Sequence, residues 1–264
     1  MQFAPKVFIT GASSGIGSAL ARQYAKQGAF LGLAARRGDQ LQALSETLTR
    51  AGATQVCCYP LDVTDAAALR LAAADFIALQ GAPDIVIANA GVSQGTLTEC
   101  AEDLEVIKRI LEINVYGMAA TFSPFIAAMR QSAQAGIPGR LVGIASVAGI
   151  RGLPGAEAYS ASKAAAITYL ESLRLELRSS GVKVVTIVPG YIETPMTAVN
   201  SYRMPFLLPA DEAARRFALA IEHGTSYTVI PWPMGVVAKL LRLLPNALYD
   251  RLFANAPRKP RSLD

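Results

Sequence analysis

The sequence predicts an α/β fold in which one doubly wound parallel β-sheet is flanked by helices on both faces. Short apolar runs alternate with longer segments of helical periodicity, which is the pattern of consecutive βαβ units. Hydrophobic residues make up 52% of the 264 residues and charged residues 17%, a composition that can bury a large core. Since no linker, repeat or low-complexity tract divides the chain, we expect a single domain over residues 1–264. The sheet and its helices would occupy about 5–230, and an apolar, basic extension about 231–264.

Each predicted strand is an apolar run, and a helix with apolar residues three or four positions apart follows nearly every strand. Glycines end the first three helices at Gly28, Gly52 and Gly81, and Asp65 can cap the third at its N-terminus. Pro124 interrupts the fifth helix. The predicted strands cover residues 6–10, 29–35, 55–60, 84–88, 139–145, 182–188 and 227–230. The predicted helices cover residues 18–27, 39–51, 65–80, 99–111, 113–131, 159–179 and 209–223.

Five residues with polar or special backbone properties directly follow a predicted strand. Because the carboxyl ends of parallel strands meet at one edge of a sheet, these residues should face the same side of the molecule, where such folds bind their ligands. They are Gly11, Asp62, Asn89, Ser146 and Pro189.

A glycine-rich turn joins the first strand to the first helix. Such a turn lets backbone N–H groups approach a pyrophosphate at the positive end of the helix, which predicts dinucleotide binding and a Rossmann-type fold. A plain tight turn is the alternative. The residues of the turn that we expect to contact the cofactor are Gly11, Ser13, Ser14, Gly15, Ile16 and Gly17.

The end of the second strand predicts which dinucleotide is bound. A site selective for NAD carries a carboxylate there to hold the ribose hydroxyls, whereas this strand ends in Ala35, Arg36 and Arg37. A guanidinium suits a 2′-phosphate, so we expect NADP(H) in preference to NAD(H), with Arg36 as the main ligand and Ser13 as a helper. Two solvated surface arginines are the alternative interpretation.

A tyrosine and a lysine lie four residues apart in the sixth predicted helix. At that spacing the Tyr159 phenol and the Lys163 ammonium project from one helix face, and the ammonium would lower the pKa of the phenol. The Ser146 hydroxyl ends the strand before them. Together the three groups suit protonation of a carbonyl oxygen, although a tyrosine–lysine pair alone is frequent on helix surfaces.

Composition argues against several other classes of protein. The net charge is only +5, and part of it comes from the tail Arg258-Lys259-Pro260-Arg261, so we expect no nucleic-acid partner. Three cysteines provide no metal spacing, so we expect no metal. Residues 1–6 lead directly into a strand, and no apolar run approaches the roughly 18 residues of a membrane span. These features predict a cytoplasmic protein.

The motifs occur in the order found in one family. The chain resembles the short-chain dehydrogenase/reductases over roughly its first 225 residues. The matching elements are Thr10-Gly11-x-x-x-Gly15-x-Gly17, Asn89-Ala90-Gly91, Asn114, Ser146, Tyr159-x-x-x-Lys163, and Pro189-Gly190 with Thr194.

The resemblance implies a role for each matching residue. Tyr159 would be the general acid or base, Ser146 would polarise the carbonyl, and Lys163 would lower the Tyr159 pKa and hold the nicotinamide ribose. Asn114 would hold a water relay behind Lys163, or simply pack against backbone as a helix-breaking residue. The remaining contacts implied for the cofactor are Asp62 and Val63 near the adenine, Asn89, Ala90 and Gly91 at the sheet edge, and Pro189, Gly190, Ile192 and Thr194 near the carboxamide.

The resemblance says less about the substrate. Residues 196–208 would form a mobile lid, and the 231–264 extension is loosely similar to that of 3-ketosphinganine reductases, which suggests a hydrophobic ketone or alcohol. The extension would touch a membrane surface, cap the pocket or pack a dimer. The resemblance also implies a homodimer or homotetramer. A non-catalytic NADPH-binding regulator and an epimerase or dehydratase are the alternatives to a reductase.

Overall fold

The protein was analysed as a computed structural model, which describes residues 4–261. Its main sheet has seven strands, all parallel, in the order β3-β2-β1-β4-β5-β6-β9. A small parallel pair, β7 and β8, lies apart from it. The strands are β1 (Lys6–Thr10), β2 (Phe30–Ala35), β3 (Gln55–Pro60), β4 (Ile85–Ala88), β5 (Arg140–Ile144), β6 (Lys183–Pro189), β7 (Ile192–Glu193), β8 (Leu208–Pro209) and β9 (Tyr227–Ile230).

Eleven helices accompany the strands in the described part of the chain. The helices are α1 (Gly15–Ala25), α2 (Gly38–Arg50), α3 (Ala66–Gln80), α4 (Asp103–Leu111), α5 (Gly117–Phe122), α6 (Ile126–Gln134), α7 (Glu157–Glu176), α8 (Pro195–Ala198), α9 (Ala210–His223), α10 (Trp232–Leu243) and α11 (Asn246–Phe253). A π-helical turn, Glu112–Tyr116, joins α4 to α5, and a 3₁₀ turn, Val147–Gly149, follows β5.

The sheet is buried on both faces, which is why its strands read as continuous apolar runs. Alternate residues of each strand enter opposite cores: Val7 and Ile9 face one core, and Phe8 faces the other. The first core lies under α1, α2 and α9 and includes Phe217. The second lies under α3, α5, α6 and α7 and includes Phe76. The predicted doubly wound α/β fold is therefore confirmed.

Two of the differences between the predicted and observed helix boundaries have a clear physical reason. Helix α1 begins at Gly15, inside the glycine-rich turn, because glycine tolerates the sharp entry that the turn needs. In the middle of the chain we predicted separate helices over 99–111 and 113–131. The structure instead has an unbroken helical segment from Asp103 to Phe122 containing the π turn, and the break comes at residues 123–125. Pro124 explains that break, since proline lacks the N–H a helix interior requires.

The extension folds as α10, which packs against β9, and α11, and it leaves much of its apolar surface in water. Four exposed side chains recur along α10 at helical spacing, from Trp232, 72% exposed, to Leu243, 81% exposed. Leu248 and Leu252 continue the apolar surface on α11. We define the extension face as Trp232, Val236, Leu240, Leu243, Leu248 and Leu252.

Membrane-spanning potential is limited in the described residues. Within 4–261 no single helix is both long and apolar enough to cross a bilayer, while one bent pair, Asp103–Phe122 with Ile126–Gln134, has the length and composition to do so.

Residues 4–261 contain no group of three His, Cys, Asp or Glu side chains that could hold a metal ion. The cysteines Cys57, Cys58 and Cys100 are free and only partly buried.

Candidate active site

A cleft of about 250 Å³ opens at the carboxyl edge of the sheet, where the strand-end residues were expected to meet. Among the predicted site residues, only Gly17 and Asn114 do not line it. The predicted residues that line the cleft are Gly11, Ser13, Ser14, Gly15, Ile16, Arg36, Arg37, Asp62, Val63, Asn89, Ala90, Gly91, Ser146, Tyr159, Lys163, Pro189, Gly190, Ile192 and Thr194.

The glycine-rich turn has the backbone shape that such a cradle requires. Gly11 and Gly15 have φ values of 65° and 56°, in the left-handed region that favours glycine. Gly17 lies beneath the turn instead of in the cleft, because a Cβ there would overlap the Gly11 carbonyl oxygen and come within 2.6 Å of Asn89 Nδ2. Glycine at this position allows the close packing of α1 against β1, and its contact with the cofactor stays a prediction.

Asn89 ties two strand ends together. Its Nδ2 donates to the carbonyl oxygens of Thr10 at 3.0 Å and Gly11 at 3.1 Å, while its backbone N–H donates to Thr10 Oγ1 at 3.3 Å. Thr10 is fully buried. The amide of Asn89 thus holds the turn after β1 against the end of β4, as the strand-end argument suggested.

The two arginines after β2 both line the cleft, but only one has a hydrogen bond to the turn. Arg37 Nη2 donates to Ser13 Oγ at 2.9 Å and to Ser14 Oγ at 2.8 Å. Arg36, which we expected to be the main ligand, has no side-chain hydrogen bond to the residues that the structure describes. The nearby carboxylate of Asp62 accepts from the Thr64 backbone N–H and hydroxyl, each at 2.9 Å, which fixes the loop after β3.

Ser146 and Tyr159 come together from different elements. Ser146 follows β5, caps the 3₁₀ turn through Ala148 N–H at 3.2 Å, and is 9% exposed. Tyr159 lies in the first turn of α7. Burial raises the pKa of the Tyr159 phenol, and the hydrogen bond with Ser146 opposes that rise. The phenol is therefore protonated at neutral pH, and a positive charge nearby would be needed to make it a stronger acid.

Lys163 lies one helical turn after Tyr159 and is 4% exposed. Its Nζ donates to the Ile144 carbonyl oxygen at 2.9 Å and lies 5.8 Å from the centre of the Tyr159 ring. Burial lowers the pKa of Lys163 to about 8. We expected its ammonium to lower the pKa of Tyr159, but only the Ser146 hydrogen bond does so here, because the amine points to the backbone of β5.

Asn114 is fully buried in the π turn and bonds to backbone. Its Oδ1 accepts from Val92 N–H at 2.8 Å, and its Nδ2 donates to the Val92 carbonyl oxygen at 3.0 Å and to Ser162 Oγ at 2.9 Å. Packing against backbone, the simpler of the two interpretations, describes these contacts. Asn114 and Lys163 nevertheless both approach Gly91, where a Cβ would meet Asn114 Oδ1 at 3.2 Å and Lys163 Nζ at 3.4 Å.

Sequence reasoning missed several apolar residues that line the cleft. Most of them adjoin a predicted site residue, so extending each strand-end motif by one or two positions would have found them. Tyr202, in the 196–208 segment, was also missed: burial raises its pKa, and Tyr191 and Tyr159 add to the rise, which indicates that both lie near it. The missed lining residues are Ala35, Leu61, Val92, Ile113, Ile144, Ala145, Met196 and Thr197.

Relatives of the chain are oxidoreductases. The profile of a family described as short chain dehydrogenase matches residues 5–204. An "uncharacterized oxidoreductase" of Myxococcus xanthus is 42% identical over 244 residues, which cover 92% of this chain and 93% of the relative. A protein of Arabidopsis thaliana named 11-beta-hydroxysteroid dehydrogenase-like 3 is 37% identical over 221 residues, covering 83% of this chain and 69% of the relative.

Solved structures share the architecture. An alcohol dehydrogenase from the archaeon Thermococcus sibiricus, complexed with 5-hydroxy-NADP, is 25% identical, with a TM-score of 0.75 and coverage of 86% of this chain and 95% of that one. A 3-ketoacyl-(acyl-carrier-protein) reductase from Brucella melitensis, complexed with NADH, has a TM-score of 0.79 at 23% identity, covering 87% and 98%, and shows the fold alone. The chain therefore belongs to the short-chain dehydrogenase family, and its relatives named above are oxidoreductases.

Proposed function

We propose that this protein is an NADPH-dependent reductase of a hydrophobic ketone, or in the reverse direction a dehydrogenase of the secondary alcohol. The observation that carries the proposal is the meeting of Ser146, Tyr159 and Lys163 in one cleft with the glycine-rich turn. A hydroxyl, a protonated phenol and a buried amine in a cofactor-sized groove are the groups that carbonyl reduction needs.

The residues of the cleft fit a dinucleotide. The turn Gly11–Gly17 leaves no side chain between its backbone and the cleft at the glycine positions, and α1 begins there with its positive end toward the groove. Ser13, Ser14 and the two arginines would hold the phosphates of the adenosine half. Lys163 and Thr194 would hold the nicotinamide half, which supplies or accepts the hydride when it is bound.

The proton in this mechanism moves through the chain's own groups. Tyr159 would donate its phenolic proton to the carbonyl oxygen during reduction, and the hydrogen bond with Ser146 opposes the rise in its pKa that burial causes. Ser146 would donate a hydrogen bond to the same oxygen and hold it opposite the phenol. Lys163 would turn from the Ile144 carbonyl oxygen toward the ribose and Tyr159, where its charge would ease the loss of the phenolic proton.

We propose a preference for NADPH because two positively charged residues follow the end of β2. Arg36 and Arg37 line the adenosine end of the cleft, and β2 ends without an acidic residue. Because Arg37 is already bonded to Ser13 and Ser14, its guanidinium is held where a 2′-phosphate would meet all three groups. Arg36, next to it, supplies the second positive charge.

The apolar walls of the cleft support a hydrophobic substrate. Val92, Ile192 and Met196 are among its lining residues. The names of the Arabidopsis relatives, 11-beta-hydroxysteroid dehydrogenase-like proteins, also favour a large apolar alcohol or ketone. These observations support a hydrophobic substrate.

Replacing Tyr159 tests the proposal most directly. We expect Tyr159→Phe to keep its affinity for NADPH but to reduce ketones at least about two orders of magnitude more slowly, since a positioned acid is worth that much. NADPH oxidation with a panel of steroid, fatty-acyl and sphingoid ketones measures the rate, and fluorescence titration measures the affinity. Wild-type rates in Tyr159→Phe would refute the assignment, and bound NADPH without turnover by either protein would favour a regulator.

We propose in addition that the extension face rests on a membrane surface rich in anionic lipid. Its six exposed apolar side chains would enter the interface, and the basic residues of α10 and α11 would meet the lipid headgroups. A hydrophobic ketone could then reach the cleft without crossing water.

A further inference from the structure

Three loops surround the mouth of the cleft, and each follows a different strand. The loop after β4 contributes Val92 to the lining, the loop after β5 contributes Ser146, and the segment after β6 contributes Met196. A single bridge joins the first two, between Thr96 and Ala156. Contacts that join these three loops would therefore also set the width of the mouth.

The last described residues of the chain contact all three loops. We call residues 254–261 the strap. The Gly95 N–H donates to the Pro260 carbonyl oxygen at 2.9 Å. Lys259 Nζ donates to Ser93 Oγ at 3.0 Å and to the Met196 carbonyl oxygen at 3.4 Å, which joins the loop after β4 to the segment after β6.

The fit between the strap and the loops is close at two glycines. A Cβ on Gly95 would overlap the Lys259 carbonyl oxygen, and a Cβ on Gly155 would lie 2.9 Å from Arg258 Cβ. Gly155 belongs to the loop after β5. The strap thus packs closely against both loops, and a residue larger than glycine at position 95 or 155 would displace it.

An ion pair holds the end of the strap. Arg261 Nε donates to Asp103 Oδ2 at 2.9 Å, and its Nη2 donates to Glu102 Oε1 at 3.0 Å. The Asp103 side chain is only 6% exposed, and it also accepts from Leu97 N–H at 2.8 Å. Both partners lower the pKa of Asp103. A carboxylate this buried needs a cation beside it, so the contact is more than a surface ion pair.

The chain just before the strap is anchored as well. Tyr249 in α11 donates its hydroxyl to the Gly152 carbonyl oxygen at 2.6 Å, and the Arg151 guanidinium stacks on its ring at 3.9 Å. Arg151 Nη1 also donates to the Leu244 carbonyl oxygen at 2.7 Å. The strap is therefore held at both of its ends, against loops that also contribute residues to the lining of the cleft.

From these contacts we infer that the strap is the outer wall of the substrate site, held closed by the Arg261–Asp103 pair, and that it limits the size of the ketone that the enzyme accepts. This inference rests on the proposed function, because it assigns a substrate range to that same cleft. It makes Arg261 a specificity-determining residue that lies 158 positions from its partner in the sequence.

The first measurement is independent of turnover. In Arg261→Ala we expect hydrogen exchange at the Gly95 amide, which donates to the strap, to become at least about tenfold faster, because the opening free energy of a local contact sets its exchange rate. The Leu97 amide should keep its protection, since its acceptor Asp103 remains. Arg251→Ala is the matched control, because Arg251 has no side-chain partner within residues 4–261. An unchanged Gly95 amide would overturn the inference.

The second measurement is substrate range. We expect the ratio of kcat/KM for a steroid ketone to that for cyclohexanone to rise at least about fivefold in Arg261→Ala, mainly through KM for the larger ketone. Gly95→Ala, which displaces the strap by steric overlap, should act in the same direction. A released strap with an unchanged ratio would show that the strap is not a wall.

A third readout separates this inference from the proposed function. If no variant reduced any ketone, the proposed function would fail, and access could still be read from a thiol under the strap. In a background in which the three native cysteines are serine, Ser93→Cys should react slowly with a bulky maleimide and at least about tenfold faster when Arg261→Ala is added. Equal labelling rates with and without Arg261→Ala would show that the strap does not cover this position, and this result would not depend on catalysis.

Discussion

Lys163 is a buried cation whose charge depends on pH near neutrality. Burial lowers the pKa of Lys163 to about 8, so the amine is protonated below that pH and loses its charge above it. We therefore expect the affinity for NADPH to fall as the pH rises through about 8. Lys163→Met should bind NADPH more weakly at neutral pH and lack this dependence. Titrations of both proteins between about pH 6 and pH 9.5 test the expectation, and parallel profiles would contradict a ribose contact.

Arg36 and Arg37 test the basis of cofactor choice. An arginine–phosphate pair contributes about 1.5–3 kcal/mol, which is roughly ten- to a hundredfold in affinity. The wild type should prefer NADPH over NADH by at least the lower factor. Arg36→Ala should remove most of that preference by weakening NADPH alone, and Ala35→Asp combined with it should favour NADH.

Arg37→Ala has a different expected outcome from Arg36→Ala. Because Arg37 bonds to Ser13 and Ser14, its loss should weaken both cofactors by loosening the turn, in addition to any effect on the 2′-phosphate. Dissociation constants of both cofactors, measured at one salt concentration, separate the two arginines. Equal affinity of the wild type for NADPH and NADH would leave both as ordinary surface charges.

At the level of elements, the junction of β1 and α1 depends on a residue that never touches the cleft. Gly17→Ala would place a Cβ against the Gly11 carbonyl oxygen and 2.6 Å from Asn89 Nδ2. Backbone must shift to relieve this overlap. We expect a loss of about 1–3 kcal/mol in the free energy of unfolding, with a large loss of NADPH affinity.

A second glycine provides the control for that substitution. A Cβ on Gly152 meets nothing within 4 Å, and its backbone is outside the left-handed region. Gly152→Ala should therefore stay within about 0.5 kcal/mol of the wild type. Denaturant unfolding of the two variants measures the difference. A Gly17→Ala protein as stable as Gly152→Ala would mean that the turn can move without cost.

The whole molecule has an uneven distribution of charge. Residues 231–264 contain six of the 25 Lys and Arg residues and two of the 20 Asp and Glu residues, so they carry most of the net charge of +5. The same segment holds the extension face. A basic, apolar surface at one end of the protein is the combination that binds anionic membranes.

Trp232 reports directly on this surface, because it is the sole tryptophan of the chain and is 72% exposed. Anionic vesicles should shift its fluorescence to the blue, whereas zwitterionic vesicles should have little effect. Burial of one leucine side chain is worth about 1.5–3 kcal/mol, so Leu240→Glu should weaken vesicle binding at least about tenfold. Leu71→Glu, at an equally exposed leucine of α3, is the control. A blue shift that depends on protein concentration without vesicles would indicate a second copy of the chain as the partner instead.

Much of the architecture was determined by the sequence alone. Strands, helices and their glycine ends follow from periodicity and capping, which act over a few residues, and the parallel order then brings Gly11, Asn89 and Ser146 to one edge. The spacing of Tyr159 and Lys163 likewise needs no tertiary information, because one helical turn places both on one face.

Only the tertiary structure decided which partner each polar group takes. It gives Arg37 contacts with Ser13 and Ser14 that the sequence did not predict, directs Lys163 to the Ile144 carbonyl oxygen, and seats the strap across three loops. Residues far apart in sequence make these contacts, and their geometry depends on how whole elements pack. A local sequence pattern carries no information on contacts between residues that are far apart in the chain. For this reason the basic tail 258–261, which the sequence presents as a run of surface charge, was not expected to lie against the loops that line the cleft.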